Sequence, residues 1–285
     1  MNSFVKKLII TRPYSWGGII LLGILANVIA TKGLVLNADL AVDVLTALLI
    51  WSSSVYILEF FHKRVDGREP VTLLLSAVLI FFLISILVWK NVLTLSFSLL
   101  AIIVSVVIYS SKIKKSPLSG FSFMFRGLVE VNIFLIILSV HSFYDLNSIF
   151  PVLLAIYFMT NSRNLIGDVR DVKFDKYTFP KKYGVKASYV ISTVLLLLAI
   201  FNAYNFEVTF PLIVYILVLA LSRDAYFLHR IFVVTTIFFY ANYILFILNK
   251  SIILVNNILF VSILLTFTYS MVPRKSNSLY LPKNK

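Results

Sequence analysis

Long apolar runs alternate with short polar stretches along the whole chain. Ten of these runs have close to the roughly 20 residues that an α-helix needs to cross a bilayer core. They are 15–35, 38–61, 71–89, 91–110, 124–142, 147–165, 187–205, 208–222, 229–248 and 251–271. None alternates strictly between apolar and polar residues, as the strands of a membrane barrel do. The pattern therefore predicts an all-α, polytopic membrane helical bundle, with residues 1–285 as a single domain.

Two of the runs need a closer look. The first is too long for a cleaved signal peptide, so we expect it to be retained. The eighth is shorter than the others and is open to extension into Arg223–Leu228.

The composition agrees with a membrane protein. Hydrophobic residues make up 60% of the chain and the mean hydropathy is +0.96, whereas soluble domains are about 45–50% apolar. The absence of cysteine excludes disulfides, thiolate metal sites and cysteine nucleophiles. A net charge of +14 would suit nucleic-acid binding, but in a membrane protein it more often reflects basic loops facing anionic lipid. We therefore expect the lipid bilayer, and no nucleic acid, as a partner.

The positive charges favour one orientation. With the N-terminus in the cytoplasm, all but three of the 26 Lys and Arg residues fall on the cytoplasmic side, and the exceptions are Lys32, Lys90 and Lys250. This asymmetry predicts a multi-pass protein of the cell membrane with a cytoplasmic N-terminus. Because the C-terminal tail is also basic, it favours an even number of spans.

A cluster of acids follows the sixth run. Asp168, Asp171 and Asp175 are three of only twelve acidic residues, and their i, i+3, i+7 spacing would place them on one face of a helix. Carboxylates are ligands that Mg²⁺ accepts together with substrate phosphates. The basic residues interspersed with them are Arg163, Arg170, Lys173 and Lys176. Such a site suits a departing diphosphate, because metal and cations stabilise its charge. The alternative is a solvated loop whose charges pair locally.

This stretch resembles the second aspartate motif of the UbiA family of intramembrane prenyltransferases. The family pattern is close to R-D-x-x-G-D-x-x-D-x-x-G-D-R, followed by T-L-P and a glycine. The matching residues, in order, are Arg163, Gly167, Asp168, Asp171, Asp175, Thr178, Pro180 and Gly184.

Three weaker matches occur elsewhere, in the family's order. After the second run, Glu59 and Asp66 stand where the family has N-D-x-x-D-x-x-x-D, and Arg68-Glu-Pro70 follows where the family has R-P. Thr11-Arg12-Pro13 resembles the family's N-terminal R-P, and Tyr109–Lys114 resembles its Y-S-x-x-L-K.

The chain also departs from the family pattern. Leu58 and His62 replace an Asn and an Asp of the first motif. Leucine cannot ligate a metal, and histidine is a poor ligand for Mg²⁺, so the first motif is degraded. In the second motif, Asn164 replaces a frequent Asp and Phe174 a small Gly, and the interval from Asp175 to Thr178 is short.

The resemblance implies a nine-span UbiA-like core plus a tenth, C-terminal span. It implies a Mg²⁺-dependent prenyltransferase that moves a polyprenyl group from its diphosphate to an aromatic or prenylglycerol phosphate acceptor at the cytoplasmic face. Asp168, Asp171 and Asp175 would be catalytic and, with Asp66 and Glu59, would bind the metal. The residues expected to hold the diphosphate are Arg12, Lys114, Arg163, Arg170 and His62.

Two other functions remain open. The degraded first motif is compatible with a catalytically impaired UbiA-like protein that binds isoprenoid diphosphate or partners with an active paralogue. A transporter is the third possibility, although transporters place their sites near the bilayer midplane.

Two acids stand out because they lie inside apolar runs, Asp43 and Glu130, and an acid inside a span is a functional candidate by default. Glu130 follows Arg126 by four residues, so we expect a local ion pair on one helix. Asp43 has no such neighbour and is expected to reach the outer interface, and His141 and His229 are expected to be interfacial.

Overall fold

The computed structural model of the chain describes residues 12–62, 69–88, 92–109, 117–142, 145–173, 177–248 and 251–271. These residues form helices joined by turns, with no strand among them. We number the helices α1 (Trp16–Thr31), α2 (Ala38–His62), α3 (Glu69–Val88), α4 (Val92–Tyr109), α5 (Ser122–Arg126), α6 (Leu128–Val140), α7 (Leu146–Arg170), α8 (Phe179–Tyr183), α9 (Val185–Ala203), α10 (Phe206–Leu221), α11 (Ala225–Ile247) and α12 (Ile253–Met271). Short 3-10 turns at Pro13–Ser15 and Pro117–Phe121 precede α1 and α5.

Each predicted apolar run coincides with a helix, and the fifth run coincides with the pair α5 and α6, which divide at Gly127. Within the described residues, six helical stretches are long and apolar enough to cross a membrane, and four further apolar helices are shorter. The prediction of an all-α bundle of membrane helices is confirmed. The number of spans stays a prediction.

The eighth run does not extend into Arg223–Leu228, contrary to the option left open above. The helix α10 ends at Leu221, and Asp224 then caps the next helix by accepting hydrogen bonds from the backbone N–H groups of Tyr226 and Phe227. A side-chain oxygen at this position satisfies N–H groups that the first turn of a helix leaves free. Residues 225–228 therefore belong to α11.

The packing order brings the first helix next to the eleventh. Helix α1 packs against α2, α6 and α11, and α11 in turn packs against α7, α10 and α12. Helix α7 lies between α9, α11 and α5. Fully buried apolar side chains such as Leu22, Ile137 and Phe239 fill the space between these helices. As a result, the N-terminal turn and the ends of α2 and α7 meet the start of α11 at one end of the bundle.

Asparagines join the last helix to the bundle. Asn242 of α11 donates to the Asn257 side chain of α12 at 2.8 Å and to the Glu207 carbonyl of α10 at 3.0 Å. Asn257 donates to the same carbonyl at 3.1 Å, and Asn256 donates to Asn242 at 2.6 Å. Because apolar burial gives little drive for association between helices in lipid, such hydrogen bonds help to hold α12 in place.

The expectation for Asp43 is wrong, because this residue is buried and has partners. Its carboxylate accepts from the Asn27 amide at 2.8 Å and pairs with Nε2 of His141 at 2.6 Å. The three side chains join α1, α2 and the end of α6 at the opposite end of α2 from Glu59. His141 is therefore an interhelical partner, although its side chain keeps 18% exposure.

Candidate functional site at one end of the bundle

Of the three predicted aspartates, the structure describes Asp168 and Asp171, and only Asp168 lies within a helix. Helix α7 continues to Arg170, five residues beyond the predicted end of the sixth run, so Asp168 lies inside the last turn. Asp171 is the first residue after the helix, where its backbone N–H bonds the Gly167 carbonyl. Asp175 lies outside the described residues. The two described aspartates are therefore presented by different backbone conformations at the same helix end.

Asp168 is paired with an arginine from another helix. Nη2 of Arg126, the last residue of α5, lies 2.6 Å from Oδ2 of Asp168, whose side chain is only 8% exposed. A buried carboxylate needs such a partner, because the charged form is costly to remove from water. The predicted pairing of Arg126 with Glu130 is therefore not observed.

Glu130 is fully buried and pairs instead with Arg163 of α7. Its carboxylate also accepts hydrogen bonds from Thr160 at 2.9 Å and from the Tyr240 hydroxyl at 3.1 Å. These contacts join α6, α7 and α11 in the interior, just beyond the site. Arg163 is predicted to hold a phosphate, and one of its guanidinium nitrogens, Nη2, already pairs with Glu130.

Arg170 and Asp171 form a two-point ion pair. Nε and Nη2 of Arg170 donate to the two carboxylate oxygens of Asp171 at 2.8 and 2.7 Å. The third nitrogen, Nη1, lies 3.2 Å from Nδ1 of His229 in the first turns of α11. His229 also packs beside Gly167, where a Cβ would lie 3.4 Å from the imidazole Cδ2, an ordinary van der Waals contact. His229 is thus a half-buried partner of Arg170 at this end of the bundle, and its predicted interfacial position stays a prediction.

The N-terminal turn contributes two more side chains. Nη2 of Arg12 lies 3.3 Å from Oε1 of Glu59, near the end of α2. The Tyr14 ring packs edge-on against His229, with 6.1 Å between the ring centroids. This turn therefore contacts the acidic end of α2 directly and is linked to the acidic end of α7 through His229.

Several arginines converge on this end of the bundle, where four of them pair with an acid. Four guanidinium groups act electrostatically on the His229 side chain, and they belong to Arg170, Arg163, Arg12 and Arg230. Clustered arginines are suited to phosphate because each presents a planar fork of N–H donors. The arrangement can hold a polyanion beside carboxylates, which is the chemistry expected of a metal–diphosphate site.

The sequence matches no protein-family model and no curated protein. The structure is similar to that titled "Structure of a UbiA homolog from Archaeoglobus fulgidus", with a TM-score of 0.53 and 16% sequence identity over 85% of this chain and 99% of that chain. The chain has the UbiA fold. At this identity the likeness speaks for the fold alone, and at that level the resemblance noted in the sequence is confirmed.

Several predicted site residues cannot be placed on this UbiA fold. Asp66, Asp175 and Lys114 lie outside the described residues, and so does the side chain of His62. Their parts in the site stay predictions.

The described carboxylates have the right donor chemistry for Mg²⁺, which binds hard oxygen ligands. Glu59, Asp168 and Asp171 each pair with an arginine, so a metal there would share or displace a guanidinium. Over the described ranges, no three His, Asp or Glu side chains lie close enough to form a metal site by themselves. A complete set of ligands would therefore draw on Asp66 or Asp175, or on substrate oxygens.

Sequence reasoning missed three contributors to this site, Tyr14, Arg126 and His229. Tyr14 follows the N-terminal Arg-Pro pair directly, and His229 begins the ninth run. No spacing pattern in the sequence marks Tyr14 or His229, because their contacts join elements that are far apart in the chain. The sequence predicts an ion pair for Arg126, but the predicted partner is Glu130 and the observed partner is Asp168.

Proposed function

We propose that the chain is an integral-membrane prenyltransferase that binds a polyprenyl diphosphate at the cytoplasmic ends of α2, α7 and α11. The observation that supports this is the meeting of carboxylates and arginines at one end of a UbiA fold. Asp171, Arg170 and Arg12 are half-buried and form the most accessible edge of that cluster. A leaving diphosphate needs both a metal held by carboxylates and direct cationic contacts.

In this proposal each group has a defined task. Asp168 and Asp171 hold Mg²⁺, with Asp175, Asp66 and Glu59 completing the ligands. The residues that contact the diphosphate oxygens are Arg12, Lys114, Arg163, Arg170 and His62. Bound Mg²⁺ would neutralise the charge that develops as the diphosphate leaves. The prenyl group is then transferred to an electron-rich aromatic ring, such as a hydroxybenzoate or naphthoate, or to a prenylglycerol phosphate.

A second candidate function is binding without transfer. It is favoured by one observation, the pairing of Glu59, Asp168 and Asp171 with guanidinium groups that would compete with a metal. Together with the degraded first motif, this pairing fits a UbiA-like protein that holds isoprenoid diphosphate or associates with an active paralogue.

The test is incubation of the purified protein with labelled geranylgeranyl diphosphate, Mg²⁺ and a panel of aromatic and prenylglycerol phosphate acceptors. Transfer that EDTA abolishes would support the enzyme, and tight binding with no product on any acceptor would support the second function. Asp171→Asn should abolish transfer, whereas Asp39→Asn, which changes an exposed acid near the start of α2, should not. Absence of any diphosphate binding, with ion flux in proteoliposomes, would overturn both proposals and favour a transporter.

A further inference from the structure

The N-terminal turn touches both halves of the acidic site through neighbouring residues. Arg12 reaches Glu59 at the end of α2, and Tyr14 reaches His229, which contacts Arg170 at the end of α7. One short turn therefore connects helix ends that belong to two separate acidic motifs.

The turn has a defined backbone shape. Arg12 has φ 57° and ψ 63°, in the left-handed region, and Pro13 follows it. The Arg12 carbonyl accepts a hydrogen bond from the Ser15 N–H at 2.9 Å, which closes the turn. A left-handed conformation has a free-energy cost for a non-glycine residue, because its Cβ crowds the backbone. Contacts of the turn with the helix ends can offset that cost. In this turn the Arg12 side chain contacts α2 and the Tyr14 side chain contacts α11.

His229 has a specific task in this arrangement. Its Nδ1 lies 3.2 Å from Arg170 Nη1, and a guanidinium nitrogen can only donate, so Nδ1 is the acceptor and the neutral ring carries its proton on Nε2. Arg170 uses its other edge for both oxygens of Asp171. The imidazole therefore contacts the one guanidinium nitrogen that does not bond Asp171. This contact fixes the plane of the guanidinium and, with it, the position of Asp171.

We propose that Tyr14 and His229 are positioning residues of the diphosphate site, and that the turn, anchored on Glu59 by Arg12, sets the spacing between the two acidic helix ends. The role of that spacing in diphosphate binding rests on the proposed function. Its geometric part, the seating of the turn between α2 and α11, stands apart from any ligand.

The geometric part is tested by cross-linking. The chain has no cysteine, so Tyr14→Cys and His229→Cys together provide the only two thiols. A short bifunctional thiol reagent should join them in the ligand-free protein in membranes, seen after cleavage of the chain between them. A pair of Tyr14→Cys with His141→Cys, which joins opposite ends of the bundle, is the control and should stay unlinked. If the reagent cross-linked the Tyr14–His141 pair as efficiently as the Tyr14–His229 pair, the proposal would be overturned.

The positioning part is tested by affinity for geranylgeranyl diphosphate with Mg²⁺. Tyr14→Leu and His229→Phe should each weaken binding about tenfold, the effect of losing one hydrogen bond or ordered contact at a charged group. His229→Asn places an amide oxygen near the position of Nδ1 and should retain most of the affinity. Tyr226→Leu is the matched control, because Tyr226 is 41% exposed at the same end of the bundle and Tyr14 is 44% exposed.

The outcomes separate the two proposals. Cross-linking of the Tyr14→Cys, His229→Cys pair, together with no diphosphate binding by the wild-type chain, would overturn the proposed function and, with it, the positioning role, while leaving the seating of the turn supported. A wild-type chain that binds diphosphate, with Tyr14→Leu and His229→Phe binding equally well, would overturn only the positioning role. A purely structural role would lower the thermal stability of His229→Phe and His229→Asn alike, so rescue of affinity by Asn at unchanged melting temperature supports positioning.

Discussion

Arg126 lies 2.6 Å from Asp168 and not beside Glu130, which follows it by only four residues. The helix is interrupted between them, because α5 ends at Arg126 and α6 begins after Gly127. A Cβ at Gly127 would collide with the Asn161 side chain, so glycine permits close approach of α7 at this break. Two buried acids are thereby neutralised by two different arginines.

Replacing Arg126 should make the protein depend on Mg²⁺. Arg126→Gln removes the cation from a largely buried carboxylate, which should cost about 3 kcal/mol of the free energy of unfolding. If Asp168 can bind Mg²⁺, the metal should restore much of this loss, so added Mg²⁺ should raise the melting temperature of Arg126→Gln more than that of the wild type. Thermal unfolding in detergent, with and without Mg²⁺, measures both effects.

Lys186→Gln is the control for this prediction, since it removes one positive charge from an exposed side chain next to the same helix ends. It should change neither stability nor the response to Mg²⁺. If Mg²⁺ shifted the melting temperature of Arg126→Gln and the wild type by the same amount, Asp168 would not be a metal ligand.

The helices could be predicted from sequence because the length of an apolar run is a local property. All ten runs contain helices, and the errors concern ends, such as the extension of α7 to Arg170. Caps and breaks decide such ends. Asp224 at the start of α11 and Gly127 between α5 and α6 are examples whose effect depends on what packs nearby.

The site could be predicted only in part. The acids near Asp168 stood out because charge is rare in this chain, and Arg170 stood out beside them. The partners could not be assigned, since Arg126 and Asp168 are 42 residues apart and Arg170 and His229 are 59 apart. Such pairs follow from how the helices pack, and a single sequence contains no local pattern for that.

The buried Glu130 should be important for stability and not only for the site. Glu130→Gln leaves the Arg163 guanidinium, whose side chain is 8% exposed, without its charged partner, and should cost about 3 kcal/mol or more. Tyr240→Phe removes one hydrogen bond to the same carboxylate and should cost about 1 kcal/mol. Denaturant or thermal unfolding in detergent measures both.

A double-mutant cycle checks that the two charges act as a pair. Combining Glu130→Gln with Arg163→Gln should cost clearly less than the sum of the single changes, because no buried charge is left unpaired. Strict additivity would contradict the pairing.

The cluster of Asn27, Asp43 and His141 should affect stability without affecting the site. Asp43→Ala leaves the polar groups of Asn27 and His141 without their shared acceptor, which should cost about 2–3 kcal/mol. Asp43 lies 16 residues before Glu59 on α2, or about 24 Å along the helix axis at 1.5 Å per residue. The affinity for geranylgeranyl diphosphate should therefore equal that of the wild type at a temperature where both proteins are folded. A large loss of affinity would show that the two ends of the bundle are coupled.

The last helix should depend on Asn242. This residue makes hydrogen bonds to Asn257, to Asn256 and to the Glu207 carbonyl, and interhelical bonds in membranes contribute on average about 0.6 kcal/mol each. Asn242→Leu should thus weaken the attachment of α12 by roughly 2 kcal/mol, and a cysteine introduced at Phe260, which is fully buried, should become reactive towards maleimide. Asn202→Leu serves as the control, because the Asn202 amide bonds the Leu198 carbonyl of its own helix. If the cysteine at position 260 stayed protected in Asn242→Leu, apolar packing such as that of Phe238 on Phe260 would be sufficient to hold α12, and the asparagines would serve only to satisfy one another in the lipid interior.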